Sequence, residues 1–269
     1  MPRVRVGALE LAYDVDGSGE PVLLVMGLGG DHHGWDLVRP ELARHHRVVV
    51  LDNRDAGTSD EARGAYGIAD MAADALGVLD HLGLARVHVV GASMGGAIAQ
   101  QIALQAPTRV ATLVLASTWA RTDAFLGAIL GGWRLLVERL TPEEFFALQV
   151  PWAFTSRFLE SPPAEVVALQ AEYRGRGVLR SVAAYQRQVD ACLGHDTLGL
   201  LPILRTPTLV VVGEEDILTP PRYGRAIAAA LGRAEVTMLG ASGHACFLET
   251  PKPFTRRVLG FLARNPLAA

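Results

Sequence analysis

Ser93 stands between two glycines, in Gly91-Ala-Ser93-Met94-Gly95, directly after the apolar run Val87–Val90 and directly before a helix-like stretch. A sharp strand-to-helix turn of this kind can hold a serine in a strained backbone and lift its hydroxyl above a sheet edge. Gly91 and Gly95 fall where a side chain would collide with the neighbouring strand or helix. Taken alone, the five residues fit a plain strand-to-helix turn equally well. A serine hydroxyl is a weak nucleophile unless a base, usually a histidine oriented by a carboxylate, takes its proton. Both partners are present downstream. Gly213-Glu214-Glu215-Asp216 closes one apolar run, and Gly240-Ala-Ser-Gly243-His244 follows the last one. Asp216 is preferred to Glu214 and Glu215 because it lies deepest in its turn, against Ile217-Leu218-Thr219-Pro220. The two glutamates read as solvated loop charges.

Attack on a carbonyl creates an oxyanion, which two preorganised backbone N–H groups must receive. One falls at Met94, the first residue of the helix after the serine, where the helix dipole adds to the effect. The other falls in Gly27-Leu28-Gly29-Gly30, where glycines let the chain curl toward the serine and Leu28 is the expected donor. This loop is not a dinucleotide fingerprint, since extending Gly27-x-Gly29 by three residues reaches His32, not glycine. Nor does Gly91–Gly96 carry the Lys-Ser/Thr of a phosphate loop. No histidine, carboxylate or cysteine group has metal-ligand spacing, so neither metal nor cofactor is expected. Among the other histidines, His45 and His46 read as surface residues, His81 and His88 as structural, and His195 as satisfied or exposed. His32 follows the glycine loop and is retained as a candidate for touching substrate.

These residues need a scaffold that brings them to one edge. Strand-like runs occur at Val4–Val6, Leu9–Val15, Val22–Met26, Val48–Leu51, Val87–Val90, Leu113–Ala116, Leu209–Val212 and Val236–Leu239. Several are unbroken Val/Leu runs, as expected of parallel strands covered on both faces. Helix-like segments alternate with them at Trp35–Arg44, Ile68–Leu82, Met94–Gln105, Pro221–Leu231 and Pro251–Arg264. The alternation predicts an α/β fold with a mainly parallel sheet, and the first two runs predict an antiparallel hairpin at one edge. All three reactive candidates then sit at carboxyl ends of strands, where open α/β sheets place their sites.

Between Ser117 and about Leu201 the strand pattern stops. Ala120–Leu140, Glu143–Gln149, Ala164–Tyr173 and Val178–Leu193 read as helices broken by Pro142, Pro151 and Pro162-Pro163. This helical insertion holds ten of the chain's seventeen aromatic residues. Packing a thin helical layer explains many of them, and roofing an apolar pocket explains others. Residues 1–118 and 197–269 are expected to form the core, and 119–196 a cap.

Composition narrows the function classes. Half of the 269 residues are hydrophobic, a fifth are charged, and the net charge is −3. Nothing electrostatic recruits nucleic acid or an anionic membrane. Cys192 and Cys246 fit no metal or redox spacing, and no apolar run reaches membrane-spanning length. A cytoplasmic protein with reduced thiols, monomeric or homodimeric, is the expectation.

The oxyanion loop, the turn Leu51-Asp52-Asn53-Arg54-Asp55-Ala56-Gly57-Thr58-Ser59, the serine elbow, the acid turn and the Gly-His loop together resemble an α/β-hydrolase-fold serine hydrolase with a helical cap. The resemblance spans nearly the whole chain and is nearest to 3-oxoadipate enol-lactonase-like hydrolases and polyketide methylesterases. It implies an eight-stranded, mostly parallel sheet flanked by helices, with the cap inserted between two core strands. It also implies the triad Ser93, Asp216 and His244, with Leu28 and Met94 as oxyanion donors. Two positions depart from the family pattern: Met26 where members often carry histidine before the glycine, and Asp55 where the turn's first glycine belongs. The departure at Met26 is expected to change pocket shape more than catalysis. Arg54 is expected to brace the site through hydrogen bonds. An ester or lactone, cleaved through an acyl-enzyme, is the expected substrate. Carbon–carbon bond hydrolysis and perhydrolysis on the same triad, or a ligand-sensing scaffold without turnover, are the alternatives. An enol-lactonase of this type needs a cation for the substrate's free carboxylate, for which Arg121, Arg134 and Arg157 are candidates. Trp119 and Phe247 are the candidates for pocket wall, with core packing an equal alternative.

Overall fold

The computed structural model describes residues 1–176 and 179–267, apart from the side chains of Tyr173 and Arg176. Eight strands form one sheet: β1 (Arg3–Val6), β2 (Leu9–Asp16), β3 (Pro21–Val25), β4 (Arg47–Leu51), β5 (Val87–Ala92), β6 (Val110–Ala116), β7 (Thr208–Gly213) and β8 (Glu235–Leu239). Their order is β1-β2-β4-β3-β5-β6-β7-β8. The β1–β2 and β2–β4 pairs are antiparallel and every other pair is parallel. The edge hairpin and the parallel body follow the sequence pattern.

The helices are α1 (Arg39–Ala43), α2 (Ile68–His81), α3 (Met94–Gln105), α4 (Ala124–Leu136), α5 (Pro142–Ala153), α6 (Ser156–Glu160), α7 (Ala164–Arg176), α8 (Val182–Leu193), α9 (Pro221–Leu231), α10 (Cys246–Glu249) and α11 (Pro251–Arg264). Alternate strand residues face opposite layers, as the two-residue period of a strand requires. Val25, Val49, Val89, Leu113 and Val210 pack with Met71, Ala75, Ile98 and Ile227 of α2, α3 and α9. Leu24, Val50, Val90, Val114 and Val211 pack on the other face with Trp35, Leu42, Phe254 and Phe261. Both faces of each central strand are therefore buried, which is why those strands are mostly apolar.

Three local expectations need correction. The helix expected over Trp35–Arg44 is a 3-10 turn at His32–Trp35, capped by Asp31, and then the short α1. Pro40 lacks the N–H needed to carry one helix through. Pro151 does not break a helix but lies inside α5, near its C-terminal end, where only the last turn loses support. The last helix of the β6–β7 connection starts at Val182, capped by the Ser181 side chain; Val178, its expected first residue, lies outside the described residues.

The register sets the functional edge. It pairs Val25 with Gly91, Ala92 with Ala116, Ala116 with Val211, and Gly213 with Leu239. The loops after β3, β5, β7 and β8 consequently leave the sheet on one side. Helices α4–α8 all lie in the connection from β6 to β7. No helix among the described residues is long and apolar enough to cross a membrane.

Candidate active site

Ser93 follows the last residue of β5 and caps α3 with φ +55° and ψ −122°. A non-glycine residue there costs on the order of 1–3 kcal/mol, so its surroundings must hold it. They do so through main-chain bonds. Ser93 N donates to Ala116 O at 2.9 Å, and Ser93 O accepts from Gly96 N at 2.9 Å and from Thr118 Oγ1 at 2.7 Å. A Cβ on Gly91 would strike the Gly95 carbonyl, and one on Gly95 would strike the Val25 carbonyl. Only glycine lets α3 start this close to β3 and β5.

The acid and histidine loops are laced together by Glu214 N to Leu239 O and Glu215 N to Ser242 O, both 2.9 Å. They bring His244 between the other two groups: its Nε2 lies 2.9 Å from Ser93 Oγ and its Nδ1 lies 3.0 Å from Asp216 Oδ2. Asp216 is buried and accepts from Leu218 N (2.9 Å), Thr219 N (2.8 Å) and Thr219 Oγ1 (2.8 Å). Burial pushes its carboxyl upward, but the His244 imidazole and the Thr219 donors outweigh burial and hold it below the ordinary carboxylate value. The carboxylate therefore stays ionised beside the imidazole, as needed to fix its tautomer and stabilise its cation.

Leu28 and Met94 flank the serine on the other side. Among the described residues neither N–H donates a hydrogen bond to the protein. Leu28, Ser93 and His244 open into a cavity of about 210 Å³ whose walls include Trp119, Leu126, Leu130, Trp133, Phe146, Trp152, Phe154, Leu218 and Phe247. Its polar lining is confined to Ser93, His244, Thr219, Gln149 and main-chain groups, and it includes no arginine or lysine. Trp119 and Phe247 thus both form pocket wall, and both are also packed: the Trp119 indole N–H donates to Thr122 Oγ1 and Phe247 stacks beside Trp35. Among the described residues no group of three His, Cys, Asp or Glu side chains could hold a metal ion.

A family model described as alpha/beta hydrolase fold matches residues 20–251. The chain belongs to that family. Membership supports hydrolase chemistry in general terms. A protein of Azorhizobium caulinodans provisionally named carbamate hydrolase RutD is 30% identical over 97% of this chain and 98% of its own length. Among solved structures, an alpha/beta hydrolase enzyme, MGS-M2, from a Medee basin deep-sea metagenome superposes with a TM-score of 0.91 at 26% identity, covering 100% of this chain and 99% of that one. The enol-lactonase of Burkholderia xenovorans LB400 does so with 0.89 at 28% identity, over 97% of this chain and 100% of its own.

Two residues of the alpha/beta hydrolase chain do something other than their sequence suggests. His32 does not line the cavity. Its Nδ1 and its main-chain N–H both hold Asp52 Oδ1, at 2.8 and 2.9 Å, and this turns the ring into the core edge. The Arg54 guanidinium points away from the serine to Asp74 of α2, at 2.5 and 2.7 Å. Its contribution to the site comes from its carbonyl, which accepts from Gln188 Nε2 at 2.9 Å. Gln188 Oε1 in turn accepts from Gly29 N at 2.9 Å, so one buried α8 side chain bridges the loops after β3 and β4.

Asp55, in place of the family's glycine, keeps the positive φ (+67°) that glycine would supply. Its carboxylate accepts from Ala62 N, Tyr66 Oη and both arms of Arg187, the latter at 2.6 and 2.8 Å. On the other side of the cavity, Glu249 accepts from Thr155 N and Oγ1 at the start of α6 and from Gly243 N of the histidine loop. Sequence reasoning missed Gln188 and Arg187 because each is a polar residue of an amphipathic helix until its partner is known, and Glu249 because it ends the four-residue α10 in a loop region. Only Asp55, as a break in the family pattern, carried a signal.

Proposed function

We propose that the chain is a serine hydrolase that cleaves a neutral carboxylic ester or lactone through an acyl-enzyme. The observation that carries this reading is the continuous Ser93–His244–Asp216 relay opening onto an apolar cavity with two unengaged N–H groups beside it. Residues 119–196 act as the cap over that cavity, and 1–118 with 197–269 as the core that holds the relay. Ser93 Oγ attacks the carbonyl carbon while His244 Nε2 takes its proton. The carbonyl oxygen becomes an oxyanion held by Leu28 and Met94 N–H. Collapse breaks the bond to the leaving oxygen, which receives the proton from His244. Water, giving its proton to His244, then attacks the acyl carbon and releases the acid with Ser93 restored. Asp216 fixes the imidazole and stabilises its cation throughout.

The name of the Azorhizobium relative raises a carbamate as a second acyl substrate for the same relay. The test is hydrolysis of p-nitrophenyl esters, lactones and carbamates by the wild type, Ser93→Ala and His244→Ala. Both variants are expected to lose turnover by roughly 10⁶-fold. An acyl adduct on Ser93, seen by mass spectrometry in a quenched reaction, is expected only in proteins that keep Ser93. Full turnover by Ser93→Ala would sink the proposal, and the preferred substrate among the three separates ester, lactone and carbamate.

A further inference from the structure

Beside the serine cavity lies a second apolar chamber of about 200 Å³, and the two share Met26, Gly30, Phe146, Phe154 and Phe247 as a common wall. Its walls also include Val166 and Leu169 of α7 and Leu248, with Asp31, His33 and Gln170 at its margin. No triad residue reaches it. Of the shared wall, Phe154 is held by stacking on Phe158 with centroids 5.0 Å apart, and Phe247 by Trp35 at 5.0 Å. Met26 is different. Its carbonyl is fixed by Asn53 Nδ2 at 2.9 Å, but its side chain is unbranched and turns about three bonds. It lies in a slot cleared by two glycines: a Cβ on Gly30 would stand 2.7 Å from its Cγ, and one on Gly34 would come within 2.9 Å of its Sδ. The slot gives the side chain space that ordinary residues at 30 and 34 would fill.

We propose that the second chamber is a subsite for the distal apolar end of the substrate chain, and that Met26 is the partition separating it from the serine cavity. This rests on the ester reading above. A short acyl chain fills the first cavity alone. A longer one displaces the Met26 side chain along its glycine slot and extends toward Leu169. Each buried methylene strengthens binding roughly fourfold, so a chain denied the second chamber loses about tenfold or more for its last few carbons.

The test compares kcat/KM for p-nitrophenyl decanoate and p-nitrophenyl butyrate. Leu169→Trp, which fills only the second chamber, is expected to lower the decanoate-to-butyrate ratio about tenfold. Met26→Ala, which removes the partition, is expected to raise it by a similar factor, and it keeps the test open should the tryptophan variant fail to fold. A ratio unmoved by both variants overturns the proposal. Calorimetric titration of Ser93→Ala with dodecan-2-one and hexan-2-one reads the chamber without any turnover. Loss of the affinity difference on adding Leu169→Trp supports the subsite even if esters prove not to be substrates, and an unchanged difference overturns it.

Discussion

The Asp52 side chain is fully buried and accepts four hydrogen bonds: His32 N–H and Nδ1 on one oxygen, Thr58 N–H and Oγ1 on the other. A Cβ at Gly57 would collide with this carboxylate, so the turn's positive φ and its glycine both serve Asp52. Burial pushes the Asp52 carboxyl upward, but His32 and Thr58 outweigh burial and hold it below the ordinary value. Burial alone would lower His32, whereas Asp52 raises it above the ordinary imidazole value. His32 consequently binds its proton more tightly in the folded protein than in an unfolded chain. Its stabilising contribution is whole below the ordinary imidazole value and is lost as pH rises through the raised one. His32→Ala is expected to destabilise the protein by about 2 kcal/mol at pH 6. Denaturant unfolding between about pH 5.5 and about pH 8.5 should show the gap between variant and wild type narrowing toward the alkaline end. A gap that widens there, or a KM effect with no stability effect, would return His32 to the substrate. The sequence placed this histidine near the glycine loop correctly but could not reveal its partner, which lies 20 residues away across the sheet edge.

At the level of elements, the helices of the β6–β7 connection are fastened to the sheet-edge loops at both sides of the cavity. Helix α8 supplies one fastening through Arg187 on Asp55 and Gln188 on Arg54 O and Gly29 N. The segment Ala153–Thr155 supplies the other, with Ala245 N donating to Ala153 O at 2.8 Å and Glu249 gripping Thr155. Gly29 follows Leu28 directly, so the Gln188 carboxamide anchors the loop that carries the Leu28 amide. Gln188→Ala is expected to lower kcat by roughly 10–100-fold with little change in KM, because a misaimed donor is lost in the transition state and not in binding. Arg187→Met should instead lower stability by about 3 kcal/mol, since it leaves a buried carboxylate without its ion partner. Steady-state kinetics and thermal unfolding of the two variants separate the effects, and equal losses of kcat in both would argue that α8 acts only as a unit. The central strands were legible in the sequence because burial on both faces writes itself as Val/Leu runs, whereas the more exposed strands toward the sheet edges, β1, β2 and β8, show only shorter or alternating apolar patterns. The cap was less so: α6 went unseen because its start depends on a Thr155 side-chain cap within a five-residue helix, and Pro151 sits where a helix tolerates it.

At the scale of the whole molecule, the serine cavity is kept free of cationic side chains. The three cap arginines that could have anchored an anionic substrate are all engaged outside the cavity: Arg121 with Asp196, Arg134 with Asp190 and Arg157 with Glu215, at 2.6–2.8 Å. None lines the chamber above Ser93, whose walls come from β-strand ends, α4, α5 and the histidine loop together. Such a wall could not be read from the sequence, because each aromatic residue of the cap has the same local pattern whether it faces the cavity or the helix beside it. Phe145 packs on Tyr185 while its neighbour Phe146 lines the cavity. The consequence is a prediction about substrate charge. A carboxylate carried into this chamber leaves water and finds no cation, a loss of several kcal/mol even after partial hydration. An enzyme built this way should hydrolyse p-nitrophenyl hexanoate at least 100-fold more efficiently, in kcat/KM, than the same ester bearing a terminal carboxylate. Lowering the pH until that carboxylate is protonated should narrow the difference, whereas added salt should leave it nearly unchanged, because the barrier is desolvation and not a distant surface field. Equal efficiency for the two esters would mean that one of the surface arginines turns inward on binding, and substituting Arg121, Arg134 and Arg157 in turn would then show which one the activity on the charged ester depends on.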